Sequence, residues 1–71
     1  MQEIRITGEM IRLGQLLKLG GVVGSGAAGK DLLAAGEARV NGELETRRGR
    51  QLHDGDVVEL GEWEFRISAG R

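Results

Sequence analysis

Three of the ten lysine and arginine residues in this 71-residue chain fall within four positions, Arg47-Arg48-Gly49-Arg50. A guanidinium is planar and permanently charged, and it donates paired hydrogen bonds to phosphate oxygens. Gly49 lets the loop backbone approach a ligand closely. The chain as a whole is slightly acidic, with 10 Lys+Arg against 11 Asp+Glu and a formal charge of -1. Cations gathered into one loop of an acidic chain point to a localised anionic partner, first of all the phosphate backbone of a nucleic acid. The competing reading is an ordinary solvated turn. Arg12, Gln15 and Lys18 recur at helical spacing and fit equally well the wet face of an amphipathic helix. They gain a binding role only if the fold brings them beside the arginine loop.

Other chemistries find little support. His53 beside Asp54 invites an acid–base reading, but no third member and no nucleophile accompany them. A single histidine and the absence of cysteine leave no His-based or thiolate metal site and no disulfide. Gly24-Ser25-Gly26-Ala27-Ala28-Gly29 spells G-x-G-x-x-G, but it follows an expected helix and no βαβ unit surrounds it. Gly29-Lys30 lacks the Walker spacing. The expectation is a non-catalytic protein without cofactor or metal.

The elements that must position the cations follow from periodicity. Residues 2–6 alternate as a half-buried strand, with Ile4 and Ile6 on one face. Residues 9–19 read as a helix capped by Thr7, with Met10, Leu13 and Leu17 on one stripe and Leu16 beside it. Gly20-Gly21 ends it. Ser25 caps a second helix that runs to about Ala35, its apolar stripe being Ala28, Leu32 and Ala35; Gly29 inside it costs up to about 1 kcal/mol relative to alanine. Ser25 also opens a helix N-terminus flanked by glycines, a natural phosphate site.

From Ala38 the period is two again. Asn41-Gly42 is a strong hairpin signal, because both residues tolerate positive φ. Glu43-Leu44-Glu45 returns antiparallel, and the arginine loop follows. Arg39 could pair with Glu37 or Glu43. Asp54-Gly55-Asp56 is a turn, Val57–Leu60 a strand, Gly61-Glu62 a tight turn. Trp63–Ile67 is a last strand, with Trp63, Phe65 and Ile67 on its inner face. Trp63 and Phe65 are the two aromatic residues of the chain and are expected in the core rather than as stacking platforms. Ser68–Arg71 is expected to fray. The order gives an α+β fold with two helices packed on a small, mostly antiparallel sheet.

A chain of this size makes one domain, here residues 1–71, with a radius of gyration of roughly 11 Å and little room for a deep substrate pocket. Thirteen glycines and no proline raise the entropy cost of folding. The N-terminus lacks an apolar signal core and no run is long enough to span a membrane, so a cytoplasmic protein is expected.

With this order of elements, the segment from Arg12 to Leu60 resembles the RNA-binding domain named after ribosomal small-subunit protein four, the alpha-L RNA-binding fold. The stretches that carry the resemblance are IRLGQLLKLGGVV, GSGAAGKDLLAAGEARVNGE, ETRRGRQL and DGDVVEL. They contain a first helix opening with Arg-Leu, a second ending in Ala-Gly, a strand reading Val-Asn-Gly, and a later Gly-Asp-Val. The resemblance implies a small stand-alone module that docks on structured RNA, with ribosomal RNA among the candidates. By the same resemblance the RNA contacts are Arg12, Lys18, Ser25, Lys30, Arg39, Asn41, Arg47, Arg48 and Arg50. Two positions depart from the pattern. Gly14 stands where the family often has Asp, and Gly26 where it often has an Arg able to contact phosphate. Lys30, one turn on, is expected to compensate in part. The alternative to RNA is a protein-interaction adaptor in a ribosome-associated complex, which would show an exposed apolar patch. A monomer is expected.

Overall fold

The computed structural model describes residues 1–69 of the chain. Seven strands and two helices follow in the order β1 (Gln2–Ile6), β2 (Met10–Arg12), α1 (Leu13–Leu19), α2 (Gly26–Ala34), β3 (Ala38–Val40), β4 (Glu43–Leu44), β5 (Gln51–His53), β6 (Val57–Leu60) and β7 (Trp63–Ala69). Five strands form one sheet in the order β1-β7-β6-β3-β4, while β2 and β5 pair separately. Among the described residues only β1 and β7 run parallel; every other pairing is antiparallel. The expected α+β class holds, with two helices on a mostly antiparallel sheet.

Alternation along the strands decides which face of the sheet the helices cover. Val40, Val58, Phe65 and Ile67 turn to one side and are buried with Leu13, Leu16, Leu17, Leu33 and Leu52. Each such aliphatic side chain contributes about 1.5–3 kcal/mol on burial. The radius of gyration is 10.8 Å, as expected for this length.

The turns behave as their residues dictate. Asn41 (φ 52°) and Gly42 (φ 85°) make the β3–β4 hairpin in the left-handed region. Both polar ends of the Asn41 amide tie this turn to the start of β6: Nδ2 donates to Asp56 Oδ1 (3.0 Å) and Oδ1 accepts from the Val57 N–H (2.9 Å). Ser25 caps α2, its Oγ accepting from the Ala28 N–H at 3.2 Å.

Several expectations need correction. Residues 9–19 are not one helix. Met10–Arg12 is the strand β2, and α1 starts only at Leu13, with Arg12 rather than Thr7 at its N-cap. The Gln15 Oε1 accepts from the Arg12 N–H (3.1 Å), which supplies the cap. In α2 the buried residues are Gly29 and Leu33, so the helix is rotated by one position from the Ala28, Leu32, Ala35 stripe. Trp63, at the head of β7 after the Gly61 turn, is 43% exposed, and its indole stacks over the buried Phe65 ring at 5.7 Å and 20°. Ser68 and Ala69 do not fray: they pair with Arg5 and Ile6 of β1. Gly70 and Arg71 lie outside the described residues.

Candidate nucleic-acid interface

The pairing of β2 with β5 builds the site. Register places Arg12 opposite Gln51, so the start of α1 meets the end of the arginine loop. The N–H groups of a helix's first turn lack partners within the helix. Here loop carbonyls supply two of them: Leu13 donates to the Arg50 carbonyl (2.8 Å) and Gly14 to the Arg48 carbonyl (3.0 Å). The Arg12 guanidinium adds a third tie, Nη1 donating to the Gly49 carbonyl at 2.9 Å. The loop is thus fastened along the N-terminal end of α1.

A groove of about 370 Å³ opens between the loop and the two helices. Arg12, Gln15 and Lys18 line it from the α1 side, Gly26 and Gly29 from α2, and Arg48 from the loop. The three-residue spacing read from the sequence therefore does bring Arg12, Gln15 and Lys18 beside the arginine loop. Ser25 stands at the groove's end as the cap of α2. Lys30 is exposed one turn beyond Gly26.

Gly14 and Gly26 both face Arg48. A methyl group at position 14 would lie 3.3 Å from Arg48 Cβ, and one at position 26 would lie 3.6 Å from Arg48 Nη1. The Arg48 side chain thus crosses the bare backbone of α1 and sets its guanidinium against the start of α2. It occupies the space beside the position where the resembling family often carries an arginine.

The other two loop arginines are held internally. The Glu45 side chain, only 7% exposed, accepts from Arg47 Nε (3.0 Å) and Nη2 (3.2 Å) and from Arg50 Nη1 (3.0 Å). It also accepts from the backbone N–H groups of Thr46 (3.1 Å) and Arg47 (3.2 Å). The hydrogen bonds from the Arg47 side chain, opposed by burial and reinforced by Arg50, hold the Glu45 carboxyl down from 4.5 to about 2. Glu45 in turn raises the pKa of Arg47 further. Sequence reasoning missed Glu45, although the signal was present: an acid followed at +2 and +5 by arginines.

Arg39 and Asn41 stand apart from the groove. Arg39 points to the sheet face turned away from the helices, opposite Glu59 and Leu44 in register. Its Nη1 reaches the Gly42 carbonyl (3.4 Å) rather than Glu37 or Glu43. The Asn41 amide is engaged by Asp56 and Val57 at the start of β6, as described above. His53 meets Asp56, not Asp54: its Nδ1 is 3.9 Å from Asp56 Oδ2, which also accepts from its backbone N–H at 2.7 Å.

The family profile described as the S4 domain matches residues 4–68. The chain belongs to the S4 domain family. The match extends beyond the stretch from Arg12 to Leu60 and includes the second half of β1, from Ile4, and almost all of β7. The chain is also similar to a Bacillus subtilis (strain 168) protein named "Probable ribosome maturation protein RlbA", 53% identical over 57 residues, which are 80% of each chain. No described helix of this S4-domain protein is long and apolar enough to cross a membrane.

Proposed function

We propose that this protein is a non-catalytic RNA-binding module that docks on structured ribosomal RNA during ribosome maturation. The observation that carries the reading is the convergence of Arg12, Lys18 and Arg48 on one groove, fastened by hydrogen bonds between α1 and the arginine loop. Membership of the S4 domain family and the likeness to a named ribosome maturation protein support the same reading. The groove is open and shallow, which suits a phosphate ridge better than an enclosed small molecule.

The mechanism is electrostatic docking. Arg48 carries the loop's share of phosphate contact and takes the place of the arginine that position 26 lacks. Arg12 and Lys18 meet the backbone from α1, and Lys30 and the Ser25 end of α2 flank it. Glu59 and Glu64, paired across the far face of the sheet, discourage docking in the wrong orientation. Arg39, on that far face, and Asn41, with its amide engaged, have no part in the contact.

The test is binding of labelled ribosomal RNA fragments over a range of salt. With about four phosphates neutralised, log K falls against log salt with a slope near −3. Arg48→Glu combined with Lys18→Glu lowers affinity by about a hundredfold or more and flattens the slope by about one unit for each lost contact, with helix content by circular dichroism unchanged. Binding that survives the double change, or that ignores salt, would sink the reading. In that case the adaptor alternative gains, with its docking surface around the exposed Met10 and Leu19, which line a second shallow groove with Ile6 and Ile11.

A further inference from the structure

Arg47 combines two properties that rarely coincide on a surface. Its side chain is 73% exposed, yet its guanidinium is fixed in place by a carboxylate that is itself only 7% exposed. Glu45 takes the Nε–Nη2 edge of the guanidinium. The end of the fork, formed by Nη1 and the second N–H of Nη2, has no hydrogen-bond partner among the described residues. What faces solvent is therefore a flat group held in place from one edge, with two parallel donors and a charge partly offset by a carboxylate that it shares with Arg50.

Such a group gains less from phosphate than an arginine with no carboxylate beside it. A phosphate brought to the free end of the fork would also approach the Glu45 anion, and the repulsion would offset part of the attraction to Arg47. A neutral acceptor pair meets no such repulsion. Guanine presents this pair at O6 and N7, whereas adenine offers an acceptor beside a donor there and cytosine a donor. Unpaired bases in RNA loops and bulges expose that edge. An arginine already held in its bound geometry also loses little side-chain freedom on contact.

Resting on the RNA-binding reading above, we infer that Arg47 reads an unpaired guanine, with Glu45 as the residue that positions its fork, while Arg48, Arg12 and Lys18 neutralise phosphates. The loop thus divides its labour: Arg48 supplies attraction and Arg47 supplies choice.

The test uses a pool of RNA hairpins with one stem and a randomised loop, selected for binding to the full chain and then sequenced. Wild type enriches guanine at one loop position and prefers guanine to 7-deazaguanine there by about tenfold. Arg47→Lys keeps the charge but loses the fork. It still retains the pool with the wild-type salt slope, and the guanine enrichment disappears. Glu45→Gln releases Arg47 to act as a mobile cation, so the enrichment fades while the salt slope steepens. A merely structural role for the pair would leave base preference untouched. The inference is overturned if wild type shows no guanine preference, or if Arg47→Lys enriches guanine as wild type does. Failure of wild type to retain any of the pool is a different outcome. It overturns the RNA-binding reading itself, and this inference with it.

Discussion

Replacing Glu45 by Gln should cost stability at neutral pH and almost none in acid. The carboxylate accepts five hydrogen bonds, from Thr46, Arg47 and Arg50. Its pKa falls from 4.5 to about 2 on folding. A shift of that size corresponds to about 3.5 kcal/mol as a ceiling, at about 1.4 kcal/mol per unit. Solvent around Arg47 screens the pair and reduces the effective figure to about 1–2 kcal/mol. The folded pKa is depressed, so this stability is fully present above 4.5. It is lost as pH falls toward 2, where the unfolded chain takes up a proton before the native one does. Urea unfolding followed by circular dichroism is the assay, because guanidinium would itself screen the pair. The difference between wild type and Glu45→Gln should be about 1–2 kcal/mol near pH 7 and should shrink steadily between pH 4.5 and 2. Every other carboxylate is common to both proteins and cancels in that difference. Two stability curves that stay parallel across this window would refute the assignment of Glu45 as a buried anion held by the loop arginines.

Two glycines should respond to alanine in opposite directions. At Gly20 the added methyl would lie 2.9 Å from Cζ of the fully buried Phe65, which has nowhere to move, so Gly20→Ala should cost about 1–3 kcal/mol and lower the melting temperature by several degrees. At Gly29 the methyl would lie an ordinary 3.6 Å from Val23 Cγ2, so Gly29→Ala should stabilise α2 by about 0.5–1 kcal/mol and raise the melting temperature. A melting temperature that falls for Gly29→Ala would mean that α2 packs against Val23 more tightly than its backbone indicates.

Local signals were legible, and the long-range ones were not. Ser25, Asn41-Gly42 and Asp54-Gly55-Asp56 each define a cap or turn through their own side-chain chemistry, and each stands where its residues predict. The alternation of Ile4 with Ile6 and of Phe65 with Ile67 located the sheet's inner face. Met10, Leu13 and Leu17 keep a helical period, which predicts helix across Met10–Arg12. Only the partner strand Gln51–His53, far along the chain, turns that segment into β-structure. Trp63 is a core residue by type, but its place at the sheet's end leaves it half covered. The arginine loop was visible as charge. The binding of two of its three arginines by Glu45 is signalled only by their places at +2 and +5 from an acid, and alternation through Glu43-Leu44-Glu45 points the other way, to a solvent face. The strand ends at Leu44, and the chain then turns the carboxylate inward to meet Arg47 and Arg50.

The tie between Arg12 and Gly49 spans 37 residues, and every pair of the β2–β5 ladder spans more. The two helices can begin to form from contacts close in sequence, but the wall that completes the groove waits for closure of a long loop, which is entropically slow. During synthesis, then, the groove does not exist until β5 has emerged, however well α1 and α2 have formed. A chain interrupted before Gln51 would carry most of the cations without the surface that arranges them. Conversely, any ligand that clasps the finished groove holds the two distant segments together, and it should slow amide exchange in β2 and β5 more than in α2.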